Sequence, residues 1–306
     1  MQERPELERK ILEDLAKTGY PVEIRACMML QADGWSVTHN PVYLDIEERK
    51  GREIDLRAIR GWWTQRSKPP AHFVLCELFV ECKKSDKPWV FFVTPVLEAE
   101  PTLNCIRFSS GIENLLWPRG EEEQQVVDWD FLRSSHMYFS AETRARTYYE
   151  AFKGQEKGER SPAIFSALSV ATKALLHHSS QLKQTMDDVD VSSMLTFFWY
   201  PVVLFNGPLY EATVPLTGDI SLAPSSHVQV DFSYIAASAD PSAQGERFLV
   251  DIVHESYLPH YLARHTAFHE GLVSRVDACY EQGTVQTRRK RKESGSAAKQ
   301  GRGSEG

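Results

Sequence analysis

Two stretches near the start of the chain repeat apolar residues with helical spacing. They cover residues 5–17 and 20–33, and the second begins with Pro21 in its first turn and ends at Asp33-Gly34, a typical helix stop. Four runs rich in β-branched and aromatic residues follow at 35–46, 52–60, 72–83 and 88–94. The first third of the chain therefore predicts helices followed by a meander of strands.

In the remaining two thirds of the chain, predicted helices and strands alternate less regularly. Helical spacing recurs at 141–153 and 161–184, whereas 98–140 is predicted to be irregular, with a short hairpin around Leu103–Phe108. Strands are predicted at 196–205, 228–237 and 246–253, followed by a last helix at 256–281. These three runs are almost continuously apolar, which is typical of strands that are covered on both faces. We therefore expect them to belong to the same sheet as the earlier strands.

Together these elements predict an α/β fold with a mixed central β-sheet flanked by helices. Residues 1–286 are interpreted as a single domain: a core at 20–94, a mostly helical insertion at 95–195, and strands and a helix at 196–286 that extend the core. Residues 287–306 are rich in Arg, Lys, Ser and Gly and are predicted to be a disordered basic tail.

Composition narrows the class of protein. With 306 residues and 42% hydrophobic content, the chain can bury a substantial core. No stretch approaches the roughly 20 apolar residues of a membrane helix, and the first residues lack the apolar segment of a signal peptide, so a cytoplasmic location is expected. Its five cysteines form no Cys-x-x-Cys pair, which favours buried reduced thiols over a disulfide framework or a cysteine-rich zinc site.

The net charge of −7 is unevenly distributed. Residues 287–306 hold seven Lys or Arg and two Glu, a local charge of +5, which leaves −12 on the other 286 residues. That balance is unfavourable for binding nucleic acid, although a local basic groove can coexist with acidic outer surfaces. Candidate groove residues are Arg49, Lys50, Arg52, Arg57, Arg60, Arg66, Lys68, Lys84 and Lys87.

The residues with the clearest chemical pattern lie at the ends of two predicted strands. Asp55 lies in the run 52–60, and Glu81 and Lys83 end the run 72–83. Because strand side chains alternate between faces, Glu81 and Lys83 must point the same way, which places a carboxylate beside an ammonium group. Two carboxylates and an amine suit phosphodiester cleavage, in which charge on the phosphate must be neutralised and water activated.

The metal expected at such a centre is Mg²⁺, which prefers oxygen ligands. Asp55 and Glu81 could supply two of them and the backbone carbonyl of Cys82 a third, while Lys83 would hold the attacking water and offset negative charge. Glu23, on the second predicted helix, could hold a second ion or orient water.

These residues resemble the restriction-endonuclease-like, or PD-(D/E)xK, nuclease superfamily. The resemblance covers roughly residues 20–94, and matches Asp55 and Glu81 to the metal-binding carboxylates, Lys83 to the motif lysine, and Glu23 to the helix glutamate of some branches. Ile54 stands where the motif has proline. The resemblance implies a mixed sheet flanked by helices and Mg²⁺-dependent cleavage of DNA, with Mn²⁺ able to substitute, in DNA processing or defence.

Other interpretations of the same residues remain open. A Glu-x-Lys pair also occurs as a solvated ion pair at a strand end, and acidic residues such as Glu23 favour the first turn of a helix because of its dipole. The fold could also serve a catalytically silent nucleic-acid-binding protein or a protein-interaction module. Trp62-Trp63 could stack on bases, but the covering of a core edge is favoured.

The histidines of the last helix suggest a competing metal chemistry. His254, His260, His265 and His269 lie close together, and His265 and His269 are one helical turn apart, a spacing that can hold zinc. However, the His-Glu-x-x-His signature fails after both His254 and His269, so a histidine-rich surface or interface helix is favoured. No Gly-x-Ser-x-Gly elbow or Gly-rich phosphate loop is present.

Overall fold

The computed structural model describes residues 5–45, 47–64, 72–96, 129–152, 161–187, 194–234 and 246–281. It is a mixed α/β protein in which helices flank a large mixed sheet, as the sequence predicts. The predicted hairpin at Leu103–Phe108 and the basic tail 287–306 lie outside the described residues. Among the helices that are described, none combines the length and apolar character needed to cross a membrane.

The first third contains two helices and six strands. They are α1 (Glu6–Leu15), α2 (Tyr20–Ala32), β1 (Ser36–His39), β2 (Val42–Asp45), β3 (Lys50–Glu53), β4 (Leu56–Trp63), β5 (His72–Lys84) and β6 (Trp89–Pro95). The run 35–46, predicted as one strand, is two strands, because Asn40 adopts a φ of 46° and Pro41 follows it. This break sends β2 away from the main sheet to form a separate hairpin with β3.

The rest of the chain contains three more helices and six more strands in its described part. They are α3 (Trp129–Ser135), β7 (Thr143–Glu150), α4 (Pro162–Asp187), β8 (Met194–Asn206), β9 (Leu209–Thr213), β10 (Ser221–Pro224), β11 (His227–Tyr234), β12 (Glu246–His254), a 3₁₀ turn (Glu255–Tyr257) and α5 (Leu258–Glu281). The three strands and the long helices predicted here are confirmed, whereas β9, β10 and α3 were not predicted.

The helix predicted at 141–153 is wrong. That segment is strand β7, which pairs with β6 on one side and β11 on the other. Thr143, Thr147, Tyr148 and Tyr149 favour a strand, and pairing within the sheet outweighs a helical spacing that extends over only a few residues. The region 95–195 is therefore not simply a helical insertion, since it contributes an inner strand to the sheet.

Ten of the described strands form one mixed sheet in the order β1-β4-β5-β8-β12-β11-β7-β6-β9-β10. Its longest pairing joins β5 and β8, which run parallel from His72 opposite Met194 to Lys84 opposite Asn206. β12 then lies parallel to β8 and antiparallel to β11. The expectation that the C-terminal strands extend the sheet of the first third is therefore confirmed.

The two faces of the sheet pack against different helices. Leu78 and Val80 of β5 share a core with Leu30 of α2 and with residues of α3 and α5. On the other face, Phe79 of β5 packs in a second core with Leu168 and its neighbours on α4. Because side chains alternate along β5, Cys76 lies on the α2 and α5 side, whereas Glu81 and Lys83 lie on the α4 side.

Candidate active site at the ends of β4 and β5

The run 52–60, predicted as one strand, is divided between β3 and β4, and Asp55 lies in the break, immediately before β4, where its two neighbours hold it. Ile54 and Leu56 are both completely buried, so the backbone that carries Asp55 is anchored in the core on each side. The β4 and β5 register pairs Leu56 with Val80, and one step further places Asp55 opposite Glu81. The Oδ2 atom of Asp55 accepts a hydrogen bond from the backbone N–H of Cys82 at 2.6 Å. The two strand ends therefore bring Asp55 to the residues 81–83.

Glu81 and Lys83 lie side by side on one face of β5, as the alternation of strand side chains predicts. The Lys83 Nζ atom donates a hydrogen bond to Glu81 Oε1 at 2.5 Å. Glu81 is buried, while one third of the Lys83 side chain remains exposed. The ammonium group thus sits at the mouth of the site, and the carboxylate lies deeper.

The carboxylates of this site are poorly solvated and repel one another. Burial raises the pKa of Glu81 to about 7, and the charges of Asp55 and Glu23 add to this effect, whereas Lys83 opposes it. Burial also raises the pKa of Asp55, against the N–H of Cys82 and the charge of Lys83. The charges of Asp55 and Glu23 both act on Glu81, so these two acids lie within electrostatic reach of it.

Lys83 keeps its charge despite its position. Burial acts to lower the pKa of the Lys83 ammonium, but the attraction of Glu81, their hydrogen bond and the charge of Asp55 outweigh it, so the pKa lies above its usual value. The site therefore holds a permanent cation beside two acids.

Glu23 approaches the same point from the helix layer. It lies in the first turn of α2, and burial together with the charge of Asp55 raises its pKa, while Lys83 lowers it. Arg25, also on α2, forms an ion pair with Glu255, and Asn206 at the end of β8 donates its side-chain N–H to the same carboxylate. These bonds tie α2 to the strand ends and thereby position Glu23.

The three carboxylates do not form a tight cluster. In the part of the chain that the structure describes, the one group of three or more His, Cys, Asp or Glu side chains with metal-ligand spacing lies elsewhere. A cation here would use Asp55, Glu81 and the carbonyl of Cys82. Because the N–H and C=O of one strand residue point to the same side, the Cys82 carbonyl faces Asp55, as its N–H does.

Tyr43 is a site neighbour that the sequence does not reveal. Burial and then the charges of Asp45 and Glu81 raise the pKa of its phenol, so Tyr43 lies close to Glu81. Its hydroxyl is buried without a hydrogen-bond partner among the described residues. Tyr43 belongs to the hairpin of β2 and β3. The sequence could have indicated it only through the alternation of apolar and polar residues in the run 35–46, which is predicted as a single strand.

The cations expected to line a basic groove are largely neutralised. Arg52 pairs with Asp45 and Glu48, Arg57 with Glu77, Arg60 with Asp33, and Lys50 with Glu48. Lys84 donates to the backbone carbonyl of Ala16. Arg66 and Lys68 lie outside the described residues. Four of the seven candidate cations within the described residues therefore contribute less positive field than their number in the sequence indicates.

The two adjacent tryptophans lie away from the centre. Trp62 is buried and stacks on His269, with ring centroids 4.6 Å apart, which confirms that it covers the core. Trp63 is exposed, but it ends β4 eight positions after Asp55, or about 26 Å along the strand. Neither ring is placed to stack on a nucleotide at Asp55.

The expectation of a histidine-rich surface helix is wrong for two of the four histidines. His265 and His269 on α5 are completely buried, whereas His260 is exposed and His254 partly exposed. Their helical spacing is confirmed, but residue pattern alone does not show that their face of α5 packs onto the sheet beneath Trp35 and Trp62.

No protein-family model matches this chain, and neither a curated protein nor a solved structure does. The interpretation of the centre therefore depends on its geometry and chemistry.

Proposed function

We propose that this chain is a Mg²⁺-dependent nuclease of the restriction-endonuclease-like type that hydrolyses DNA phosphodiester bonds. The observation that supports it best is the convergence of Asp55, Glu81 and Lys83 at the adjoining ends of β4 and β5. Asp55 lies 26 positions before Glu81 in sequence, and residue type and strand position alone predict all three residues.

The donors present suit Mg²⁺. Asp55, Glu81 and the Cys82 carbonyl supply only oxygen atoms, which are the ligands that this ion prefers. Burial raises the pKa of both carboxyl groups, and the charge of Asp55 adds to the shift of Glu81, so a divalent cation beside them would offset an unfavourable arrangement of charge. When bound, the ion would polarise the phosphate and lower the pKa of a coordinated water.

The side chains of the site would supply the other catalytic roles. The hydrogen bond from Cys82 N–H restricts the orientation of Asp55 by holding its Oδ2 atom, and the other carboxylate oxygen would then serve as the metal ligand. Lys83, which now donates to Glu81, can instead donate to the attacking water or to a phosphate oxygen and offset charge as the reaction proceeds. Glu23 orients the water from the α2 side.

A protein-interaction module on the same fold is the second candidate. It is favoured by the pairing of the nearby cations with carboxylates and by the −12 charge outside the tail, because both weaken attraction to a polyanion. Such a module would need neither Lys83 nor the carboxylates to act on phosphate.

Cleavage assays with the full chain test the proposal. Linear, circular and single-stranded DNA are incubated with Mg²⁺, Mn²⁺ or EDTA, using the wild type and the variants Asp55→Asn, Glu81→Gln and Lys83→Met. We expect metal-dependent cleavage that falls by about 100-fold or more in each variant. Glu53→Gln is the matched control, because it removes an exposed carboxylate two residues from Asp55. Absence of cleavage by the wild type, or equal cleavage by all variants, would reject the nuclease assignment.

A further inference from the structure

The buried histidines of α5 meet a buried thiol on the opposite side of β5 from the candidate active site. Cys76, His265 and His269 each offer a ligand atom, and these atoms all lie within 4.8 Å of one another. All three side chains have at most 1% of their surface exposed. His265 and His269 are 189 or more residues after Cys76 in sequence, so this group exists only because α5 packs onto the strand.

The hydrogen bonding of His269 leaves a nitrogen lone pair directed into the core. Its Nδ1 lies 2.7 Å from the carbonyl oxygen of His265. A carbonyl oxygen can only accept, so Nδ1 carries the proton and Nε2 of the neutral ring carries the lone pair. Burial keeps this ring neutral, since it lowers the pKa of His269 to about 3. A metal-binding histidine commonly has this arrangement, with its other ring nitrogen donating to a backbone carbonyl.

Two of the imidazole nitrogens in this group have no hydrogen-bond partner. Nε2 of His265 and Nε2 of His269 are both buried and unpartnered among the described residues; a metal ion beside Cys76 would satisfy the His269 atom, whereas the nitrogen of His265 that faces Cys76 is Nδ1. Such atoms are costly in an apolar core, because they have lost water and gained no replacement. The aromatic rings packed against these histidines supply no hydrogen-bond partner to the two nitrogens: Trp62 stacks on His269, and Tyr200 and Tyr261 pack edge-on against His265.

We propose that Cys76, His265 and His269 hold one Zn²⁺ ion. The Cys76 Sγ and His265 Nδ1 atoms are 3.8 Å apart. A tetrahedral zinc ion, with Zn–S of about 2.3 Å and Zn–N of about 2.0 Å, sets its sulfur and nitrogen ligands about 3.6 Å apart. Thiolate and imidazole ligands suit zinc and not Mg²⁺, so this site would not compete for the ion of the carboxylate centre.

Zinc binding requires the Cys76 thiol to lose its proton. Cys76 is a thiol in the metal-free protein, because burial raises its pKa well above the usual range. As the S–Zn bond forms, the S–H bond breaks and the proton passes to solvent, while both histidines bind as neutral rings. The ion would join β5 to α5 through three protein ligands, one fewer than a closed structural zinc site has, so a fourth donor would complete its tetrahedron. It would fasten a helix to the strand that also carries Glu81 and Lys83.

Metal analysis of the intact chain tests this site. The full chain is purified without chelators, incubated with Zn²⁺, freed of excess metal and measured by elemental mass spectrometry. We expect about one zinc per chain in the wild type and in Cys27→Ser, which alters another buried free cysteine, and a loss of at least about fivefold in Cys76→Ser. Equal zinc in Cys76→Ser and Cys27→Ser, or none in the wild type, would overturn the proposal.

A second measurement separates loss of a ligand from misfolding. A strong zinc chelator should lower the midpoint of thermal unfolding of the wild type by about 5 °C or more, and leave that of Cys76→Ser unchanged. Cobalt added to the metal-free wild type should give the visible and thiolate charge-transfer bands of tetrahedral Co²⁺, which Cys76→Ser lacks. An unchanged wild-type midpoint together with absent bands would reject the site. Asp55→Asn should bind zinc normally, which makes the result independent of the proposed nuclease activity.

Discussion

The side chain of Asp55 and the backbone of Cys82 share a hydrogen bond that joins the start of β4 to the end of β5. The carboxylate Oδ2 accepts the Cys82 N–H at 2.6 Å, at the point where the ladder between β4 and β5 has ended. One oxygen of Asp55 therefore has a structural role, and under the proposed function the other would bind the metal ion.

This division of roles predicts that two substitutions of Asp55 differ in stability. In Asp55→Asn, the amide oxygen can still accept the Cys82 N–H, so the free energy of unfolding should change by less than about 1 kcal/mol. In Asp55→Ala, that buried N–H loses its partner, which should cost about 1–3 kcal/mol. Urea unfolding followed by fluorescence measures both. Equal stabilities would mean that the hydrogen bond contributes nothing.

Asp231 links three strands and should make the protein sensitive to acid. It is buried on β11 and accepts hydrogen bonds from Arg146 of β7 at 3.0 Å and Arg247 of β12 at 2.9 Å. Burial acts to raise the pKa of Asp231, but the two arginines outweigh it and hold the pKa below its usual value. The unfolded chain therefore takes up this proton at a higher pH than the folded protein does.

Because the pKa of Asp231 is lower in the folded protein, its ion pairs stabilise the fold at pH values above the unfolded pKa of about 3.8. This stabilisation is lost as the pH falls through the folded-state pKa. We expect Asp231→Asn to destabilise the protein by about 2 kcal/mol at pH 7 and by much less near pH 3. Asp219→Asn, which alters an exposed aspartate, is the control. Urea unfolding at both pH values measures the difference, and a penalty that does not depend on pH would contradict the assignment.

Gly207, in the turn after β8, should not tolerate a side chain. A Cβ atom there would lie 2.2 Å from the Ser85 carbonyl oxygen and 2.6 Å from the Phe205 ring. Because the Ser85 oxygen belongs to the backbone, relief requires a shift of the strand ends, and Gly207→Ala should cost about 2–3 kcal/mol.

The matched control is Gly61→Ala on β4. Its Cβ would lie 2.9 Å from the end of the Leu75 side chain, which can rotate away, so the cost should be under about 1 kcal/mol. Denaturant midpoints of the two variants provide the comparison. If Gly61→Ala proves the more damaging, the close approach at Gly207 is not a real constraint.

The two adjacent tryptophans should behave oppositely. Trp62→Ala removes a buried ring that stacks on His269 and should cost about 3–5 kcal/mol. Trp63→Ala should change stability by less than about 0.5 kcal/mol, because Trp63 is mostly exposed. If the chain cleaves DNA, Trp63→Ala should keep its activity within about twofold, given its distance from Asp55. A large loss of cleavage would show that DNA extends along β4.

Local pattern predicted the parts of the centre that depend on one strand. Alternation along β5 was sufficient to place Glu81 beside Lys83, and the helix signals around Pro21 were sufficient to place Glu23 on α2. That Asp55 lies opposite Glu81 depends on the register of β4 against β5, which residue pattern favours but does not determine.

What could not be predicted depends on contacts between distant segments. Cys76 has nothing near it in sequence to indicate a ligand, because its partners His265 and His269 come from a helix at the other end of the chain. Residue pattern predicts a helix where β7 lies, because the strand depends on its partners β6 and β11, which supply its hydrogen bonds. Similarly, the neutralisation of Arg57 by Glu77 depends on a cross-strand contact.

The pairing of β5 with β8 imposes an order of events during synthesis. Glu81 and Lys83 leave the ribosome early, but the edge of β5 that β8 occupies stays bare until residue 206 has been translated. At about 5–20 residues per second, more than 120 intervening residues correspond to a delay of roughly 6–24 seconds. During that interval an apolar strand with unpaired backbone groups is open to self-association or to capture by chaperones, so yield on expression should respond to translation speed and temperature.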